Sequence, residues 1–286
     1  MADTVTTSGG RRTAELIPEP AWLPRLEVST PKFVEGLARV ADVITTDGEL
    51  PAGLKYVFAA AICAVKRDAP LVDHFLAAAA KAGVAREHVE GASVGLLISR
   101  GVVPHGLFVA ATDAAYGPAD GAPADAGATD GFTADVPGAY AYFERYFGFV
   151  LDYVELLGDR VGAGLEGYFL MRESSLGETP LPPRDMELLL CAVNAAEYQP
   201  RFVAIHARGA RRAGATEEQL VEATLVAMPL AGVASWLPAA QGSSTRATCS
   251  TAEVRAAVVD DLRDTWSPDG AGWVRGRGPS GRRGAR

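Results

Sequence analysis

Glu187, Glu197 and His206 are the residues whose types and spacing best suit chemistry in this chain. An imidazole titrates near neutrality, and a carboxylate set against it orients the ring; together they make a general acid–base device. All three lie in MELLLCAVNAAEYQPRFVAIHARGARRAGATEEQ, residues 186–219, where an apolar helix-compatible run gives way to Glu197, Pro200, a small-residue face around His206, and Gly214. Glu187 is nearly three helical turns above Glu197. In an antiparallel hairpin it opposes the middle or far part of the next helix, where His206 stands. Glu197 faces the start of that helix. Arg184 and Arg201 sit near helix N-termini on either side of the pair, and Arg100 closes an upstream helix. A guanidinium matches a carboxylate in bidentate fashion, so Arg184 and Arg201, with Glu197, are candidate substrate-binding residues. The competing reading is a core histidine packed among Ala207, Gly209 and Ala210, with solvated arginines around it.

The elements that must position these residues are helices. Thr216-Glu217-Glu218-Gln219 spells a capping box, in which the threonine hydroxyl and the glutamine side chain satisfy free backbone N–H groups reciprocally. The stretch therefore reads as helix, break, histidine-bearing helix, glycine stop, capped helix. A decayed copy lies upstream at one fixed offset: Leu50-Pro51 falls on Leu181-Pro182, Ala82-Gly83 on Ala213-Gly214, and Gly101-Val102 on Gly232-Val233. Each copy predicts three or four helices, near 53–67, 70–82, 85–100 and 103–112, then 183–197, 200–213, 217–229 and 231–241. A further helix starts at Thr30-Pro31. Alternation of the strand type is absent. A helical hairpin of this size cannot bury its own apolar faces, so the copies should pack together in an all-α bundle.

His206 falls on Phe75 under that shift, with His74 one position short, so the upstream copy reads as scaffold. His88 and His105 read as surface residues. The histidines lack paired H-x-x-x-H or H-E-x-x-H spacing, so no metal is expected. A phosphate loop and a G-x-S-x-G elbow are absent as well, and no cofactor is expected.

The domain plan follows: a flexible arm over 1–29, the degenerate repeat over 30–113, a low-complexity linker over 114–138, the second repeat over 139–241, and an extension over 242–286. That extension holds a candidate helix at Thr251–Trp266 and a basic, glycine-rich tail expected to be disordered. Tyr140, Phe143 and Phe147 share one helical face and read as core rather than pocket wall, and Tyr153–Arg172 as one amphipathic helix. A formal charge of −8 argues against nucleic-acid and anionic-membrane partners. Three scattered cysteines, no apolar N-terminal segment and no stretch long enough to span a bilayer lead to the expectation of a cytoplasmic protein.

LPPRDMELLLCAVNAAEYQPRFVAIHARGARRAGATEEQLVEA resembles the carboxymuconolactone decarboxylase-like proteins, a group that includes the AhpD-type alkylhydroperoxidases. The shared pattern is an acidic residue in the first helix, then H-x-x-x-A-x-x-x-G-A-T-x-E-E/Q; it falls on Glu187, His206, Ala210, Gly214, Ala215, Thr216, Glu218 and Gln219, with Glu222 beyond. The match covers about 140–241 well and 31–112 weakly. It implies an AhpD-like helical bundle of two tandem copies, a homo-oligomer, and a small-molecule substrate. The peroxidase branch carries a C-x-x-C whose positions are Gln199 and Phe202 here, so dithiol peroxide reduction is not expected. The decarboxylase branch works without cofactor by acid–base chemistry on an anionic lactone. By that resemblance His206 is general acid or base, Glu187 its partner, and the substrate a small anionic or cyclic organic acid. A non-catalytic ligand-binding or assembly protein of the same fold is the alternative.

Overall fold

The computed structural model describes Thr13, residues 16–18, 20–119 and 132–243, and among these residues there is no strand. Helices run over Leu23–Ser29 (α1), Pro31–Thr45 (α2), Ala52–Lys66 (α3), Ala69–Lys81 (α4), Arg86–Arg100 (α5) and Val102–Tyr116 (α6). After the central segment come Val136–Phe147 (α7), Asp152–Arg160 (α8) and Gly162–Gly177 (α9). The second series is Pro183–Ala196 (α10), Pro200–Arg212 (α11), Glu217–Leu225 (α12), Ala227–Ala231 (α13), a 3₁₀ turn at Val233–Ser235, and Trp236–Ser243 (α14).

The punctuation of the two series recurs at the offset that relates the two copies in sequence. Arg67 (φ 62°) and Tyr198 (φ 57°) are the positive-φ non-glycine residues among those described, and they occupy equivalent positions. Each closes the first helix of its hairpin ahead of a proline-started second one, Pro70 in α4 and Pro200 in α11. Gly83 pairs in the same way with Gly214, and Gly101 with Gly232, all at positive φ. The correspondence reaches one helix further than the sequence pattern did, since the first residue of α2, Pro31, falls on the first residue of α9, Gly162. The box at Thr216 and Gln219 is formed, with both reciprocal hydrogen bonds present.

The innermost helices of the two hairpins, α3 and α10, pack on one another, and they are almost wholly buried. Contacts across the seam are reciprocal. Glu222 on α12 accepts the Leu50 N–H at 2.8 Å and lies 3.4 Å from the buried Lys55 ammonium. At the equivalent place in the other half, Leu181 packs on Gly91 so closely that a β-carbon at 91 would come within 2.9 Å of the Leu181 backbone nitrogen. Lys66 and Glu197, themselves equivalent positions of the two copies, form an ion pair of 2.6 Å.

Several expected boundaries differ. Within 1–29, expected as a flexible arm, Leu23–Ser29 is helical with a proline in its first turn, and Leu16 and Leu23 are buried in the core. Tyr153–Arg172 is two helices rather than one, broken at Val161 (φ −143°, ψ 71°) amid Gly158, Gly162 and Gly164, poor helix formers. The expected helix at 217–229 ends at Leu225, and Gly232 resets the chain into the 3₁₀ turn. In the expected linker, α6 runs on to Tyr116, and α7 starts at Val136 behind an Asp135 cap that accepts the Gly138 N–H. The body of the linker, residues 120–131, and the extension beyond 243, including the expected helix at Thr251–Trp266 and the basic tail, lie outside the described residues.

In an open helix, Gly91→Ala would add about 1 kcal/mol of stability. Here we expect it to cost roughly 1–3 kcal/mol, because backbone rather than a flexible side chain must move. Urea unfolding measures this, and a gain in stability would mean the seam is looser than described.

Candidate active site

α10 and α11 fold back on each other through the Glu197–Gln199 break, so residues at comparable distances from Tyr198 face across the hairpin. Glu187 and His206 meet in this way, with His206 Nδ1 at 2.7 Å from Glu187 Oε2. The Glu187 side chain is 1% exposed and that of His206 13%. Room for the carboxylate comes from Gly209 on α11, where a β-carbon would lie 2.7 Å from Glu187 Cδ.

Two further donors reach the other carboxylate oxygen from outside the hairpin. Arg172 near the end of α9 donates to Oε1 at 2.8 Å, and its own side chain is 5% exposed. Tyr146 on α7 donates its hydroxyl to the same oxygen. The Arg172 guanidinium also lies over the Tyr146 ring, 4.9 Å from its centre. Burial alone would push the Glu187 carboxyl up. His206, Arg172 and Tyr146 outweigh that and bring it down to about 2. Burial and the adjacent Glu187 push the Tyr146 phenol well above its ordinary value, so it stays a donor. For Arg172 burial works the other way, and Glu187 more than offsets it, keeping the guanidinium charged. An ionised carboxylate only accepts, so His206 Nδ1 must carry the hydrogen in this contact. The other ring nitrogen, Nε2, is left for a reactant.

His206 lines a cavity of about 240 Å³ between the two halves of the chain. One wall is aromatic: Phe147 from α7, Tyr153 from α8, Tyr168 from α9 and Phe202 from α11. The floor is the α10 face bearing Leu190 and Asn194, successive turns beyond Glu187. The far wall is the end of α5, with Ile98, Ser99 and Arg100. Arg100, Arg172 and His206 are the basic residues of the lining, and among the described residues no carboxylate belongs to it. Arg100 donates to Asn194 Oδ1 at 2.7 Å and to Ser99. Asn194, 1% exposed, is fixed in turn by its donation to the Leu190 carbonyl at 2.7 Å.

The other sequence candidates are placed elsewhere. Arg184 pairs with its neighbour Asp185 at 2.7 Å, at the start of α10 and outside the cavity lining. Glu197 is held by Lys66 and does not line the cavity either. Adjacent opposite charges and the seam between halves use both up. Arg201 is outside the lining too, and its buried Nε has no hydrogen-bond partner among the described residues. Arg172, Tyr146 and Asn194 escaped the sequence reading, and part of the aromatic stripe read as core is wall: Phe143 is buried packing, whereas Phe147 faces the cavity. Of the cysteines, Cys63 and Cys191 are buried, and burial raises both thiols, Cys63 to about 12. No group of three or more His, Cys, Asp or Glu able to hold a metal occurs among the described residues, and no helix among them is long and apolar enough to cross a membrane.

The site in the upstream half is closed. Shifted back by the offset between the copies, Glu187, His206 and Arg172 fall on Tyr56, Phe75 and Ala41. Tyr56 and Phe75 stack with ring centres 6.4 Å apart, and Phe75 and Ala41 are fully buried.

Residues 163–241, which carry Arg172, Glu187 and His206, match the carboxymuconolactone decarboxylase family. In fold the chain is similar to a crystal structure from Burkholderia xenovorans LB400, of a protein proposed to be a gamma-carboxymuconolactone decarboxylase subunit. The TM-score is 0.53 at 23% identity, over 81% of this chain and 96% of that one. No curated protein matches the sequence. The resemblance to the carboxymuconolactone decarboxylase family thus stands for the segment matched, and the fold is of that kind.

The depressed Glu187 carboxyl fixes a sign for pH dependence. Its folded value of about 2 lies below that of an unfolded glutamate, so the stability it contributes is fully present above pH ~4.5 and is lost as pH falls toward 2. The wild type should lose roughly 3 kcal/mol across that window relative to Glu187→Gln. Urea titrations at successive pH values measure the difference, and parallel curves for the two proteins would mean Glu187 is not held ionised.

Proposed function

We propose that this protein is a cofactor-independent acid–base enzyme of the carboxymuconolactone decarboxylase type, acting on a small anionic or cyclic organic acid. His206 is the proton-transfer group, and Glu187 orients it. The observation that carries this reading is the contrast between the halves. At the equivalent place upstream, the same packing is filled by Tyr56, Phe75 and Ala41. A buried ionic cluster is often less stabilising than apolar residues of like volume, so the fold itself does not require Glu187, Arg172 and His206. They lie where a stability-only account has least use for them, beside a cavity.

The reaction class follows from the groups at hand. With Nδ1 bound to Glu187, Nε2 of His206 takes a proton from the substrate or returns one. In an isomerisation it does both, and the double bond moves between. In a decarboxylation Nε2 of His206 first takes a proton from solvent; the carbon–carbon bond then breaks, its electron pair enters the substrate's conjugated carbonyl, carbon dioxide leaves, and the carbon takes that proton from His206. Glu187, already paired with Arg172, holds the imidazole through either cycle without itself accepting the proton. Arg201 remains a candidate contact. Arg184 and Glu197 are not retained, being paired away from the cavity.

Self-association belongs to the same reading. Val102 and Val233, at equivalent helix starts, are 73% and 72% exposed, and such apolar residues suit a face between copies. The alternative, a ligand-binding protein without turnover, keeps the cavity and loses the chemistry.

Incubation with a panel of unsaturated lactone acids and keto acids tests the proposal. On any acid the wild type converts, His206→Gln should lower turnover by about 10²–10⁴-fold while the melting temperature holds. Full turnover in a destabilised variant would assign His206 to the core. Tight binding of an acid with no conversion by the wild type would favour the alternative.

A further inference from the structure

The upstream half, though its own site is closed, sends one cation into the cavity of the downstream half. Arg100 is the last residue of α5, and Gly101, at φ 82°, turns the chain away immediately after it. The guanidinium therefore projects from a fixed helix end rather than from a loop. Its hydrogen-bond partners are neutral, namely Asn194 and Ser99. Among the described residues no carboxylate forms an ion pair with it. Glu197, the carboxylate whose field reaches it, is tied to Lys66. Arg172, the other guanidinium of the lining, is neutralised by Glu187. Partial burial without a counter-charge disfavours the charged form, and Arg100 is pushed below its usual range. A guanidinium so placed lacks an anion.

We propose that Arg100 is the specificity-determining residue of the cavity, binding a substrate carboxylate at the end away from His206. The spacing follows from α10. Glu187 and Asn194 are two helical turns apart on one face, about 10 Å along the axis, with Leu190 between. His206 is held at the first of these positions and Arg100 at the second. The ligand that fits is an anion with a carboxylate at one end, a flat apolar body against Phe147 and Tyr168, and its reacting carbon at the other end. That carboxylate is retained through the reaction. An ion pair stabilises the charged group, so a carboxylate held by Arg100 resists becoming neutral carbon dioxide. The group lost, if any, is a second one beside His206. The reacting end rests on the proposed role of His206, whereas the anion contact does not.

Binding separates the two ideas. The probes are phenylacetate, 3-phenylpropionate and 4-phenylbutyrate, each against its uncharged primary amide, followed by calorimetry or ligand-observed NMR. The wild type should favour at least one acid over its amide by tenfold or more. Arg100→Gln should remove that preference while leaving amide binding in place, Arg100→Lys should keep part of it, and His206→Gln should keep it whole. If no acid is preferred over its amide, or if Arg100→Gln keeps the preference, the proposal fails. A variant that melts lower but still discriminates would make Arg100 a tie between α5 and α10 only. Failure of His206→Gln to affect turnover would overturn the catalytic reading and leave the anion contact standing.

Discussion

A carboxylate taken out of water must be met by donors on both oxygens, and that constraint on Glu187 arranges much of this structure. One donor comes from the adjoining helix, His206 on α11, and two from the helices leading in, Tyr146 on α7 and Arg172 on α9. The approach is possible only because position 209 has no side chain. Tyr146 is steadied by stacking on Tyr142 and by the guanidinium over its ring. Three helices are thus fixed against one buried charge, and the imidazole it holds borders the cavity. Loss of a donor that its replacement does not restore would leave a buried charge short of partners, which is costlier than loss of the same contact at a surface.

The two halves of the chain show the same backbone plan with opposite interiors. Both turn at a left-handed non-glycine residue and both close on glycines at matching positions. Around the equivalent cavity position, however, one half is ionic and the other aromatic. The aromatic half gains packing and forfeits a site. Its remaining contribution is at the seam, where Lys66 meets Glu197 and Arg100 reaches Asn194. The halves are therefore unequal partners in one cavity rather than two independent sites.

The sequence disclosed what is local. The capping box at Thr216, the proline-started helix at Pro200 and the glycine stops are set by near neighbours, and the repeat follows from counting. The approach of Glu187 to His206 was legible because a short break forces a hairpin and a hairpin sets distances. Arg172 was not legible. It lies inside α9, between Met171 and Glu173, where an arginine is ordinarily solvated, and nothing within a few residues marks it as buried. Phe147 hid within a stripe whose spacing announces core, since a cavity wall and a core face share one periodicity. Arg184 and Glu197 misled for a related reason: Asp185 beside the one, and Lys66 a whole repeat away, satisfy them before any ligand can.

Nitrogen-15 NMR of the His206 side chain tests most directly whether a buried carboxylate presents this imidazole to the cavity. The account predicts a hydrogen on Nδ1, strongly hydrogen-bonded and lost as such in Glu187→Gln, and an Nε2 facing the cavity whose resonance moves when an acid enters. A ring protonated on Nε2 alone, or one indifferent to both the substitution and the ligand, would contradict it.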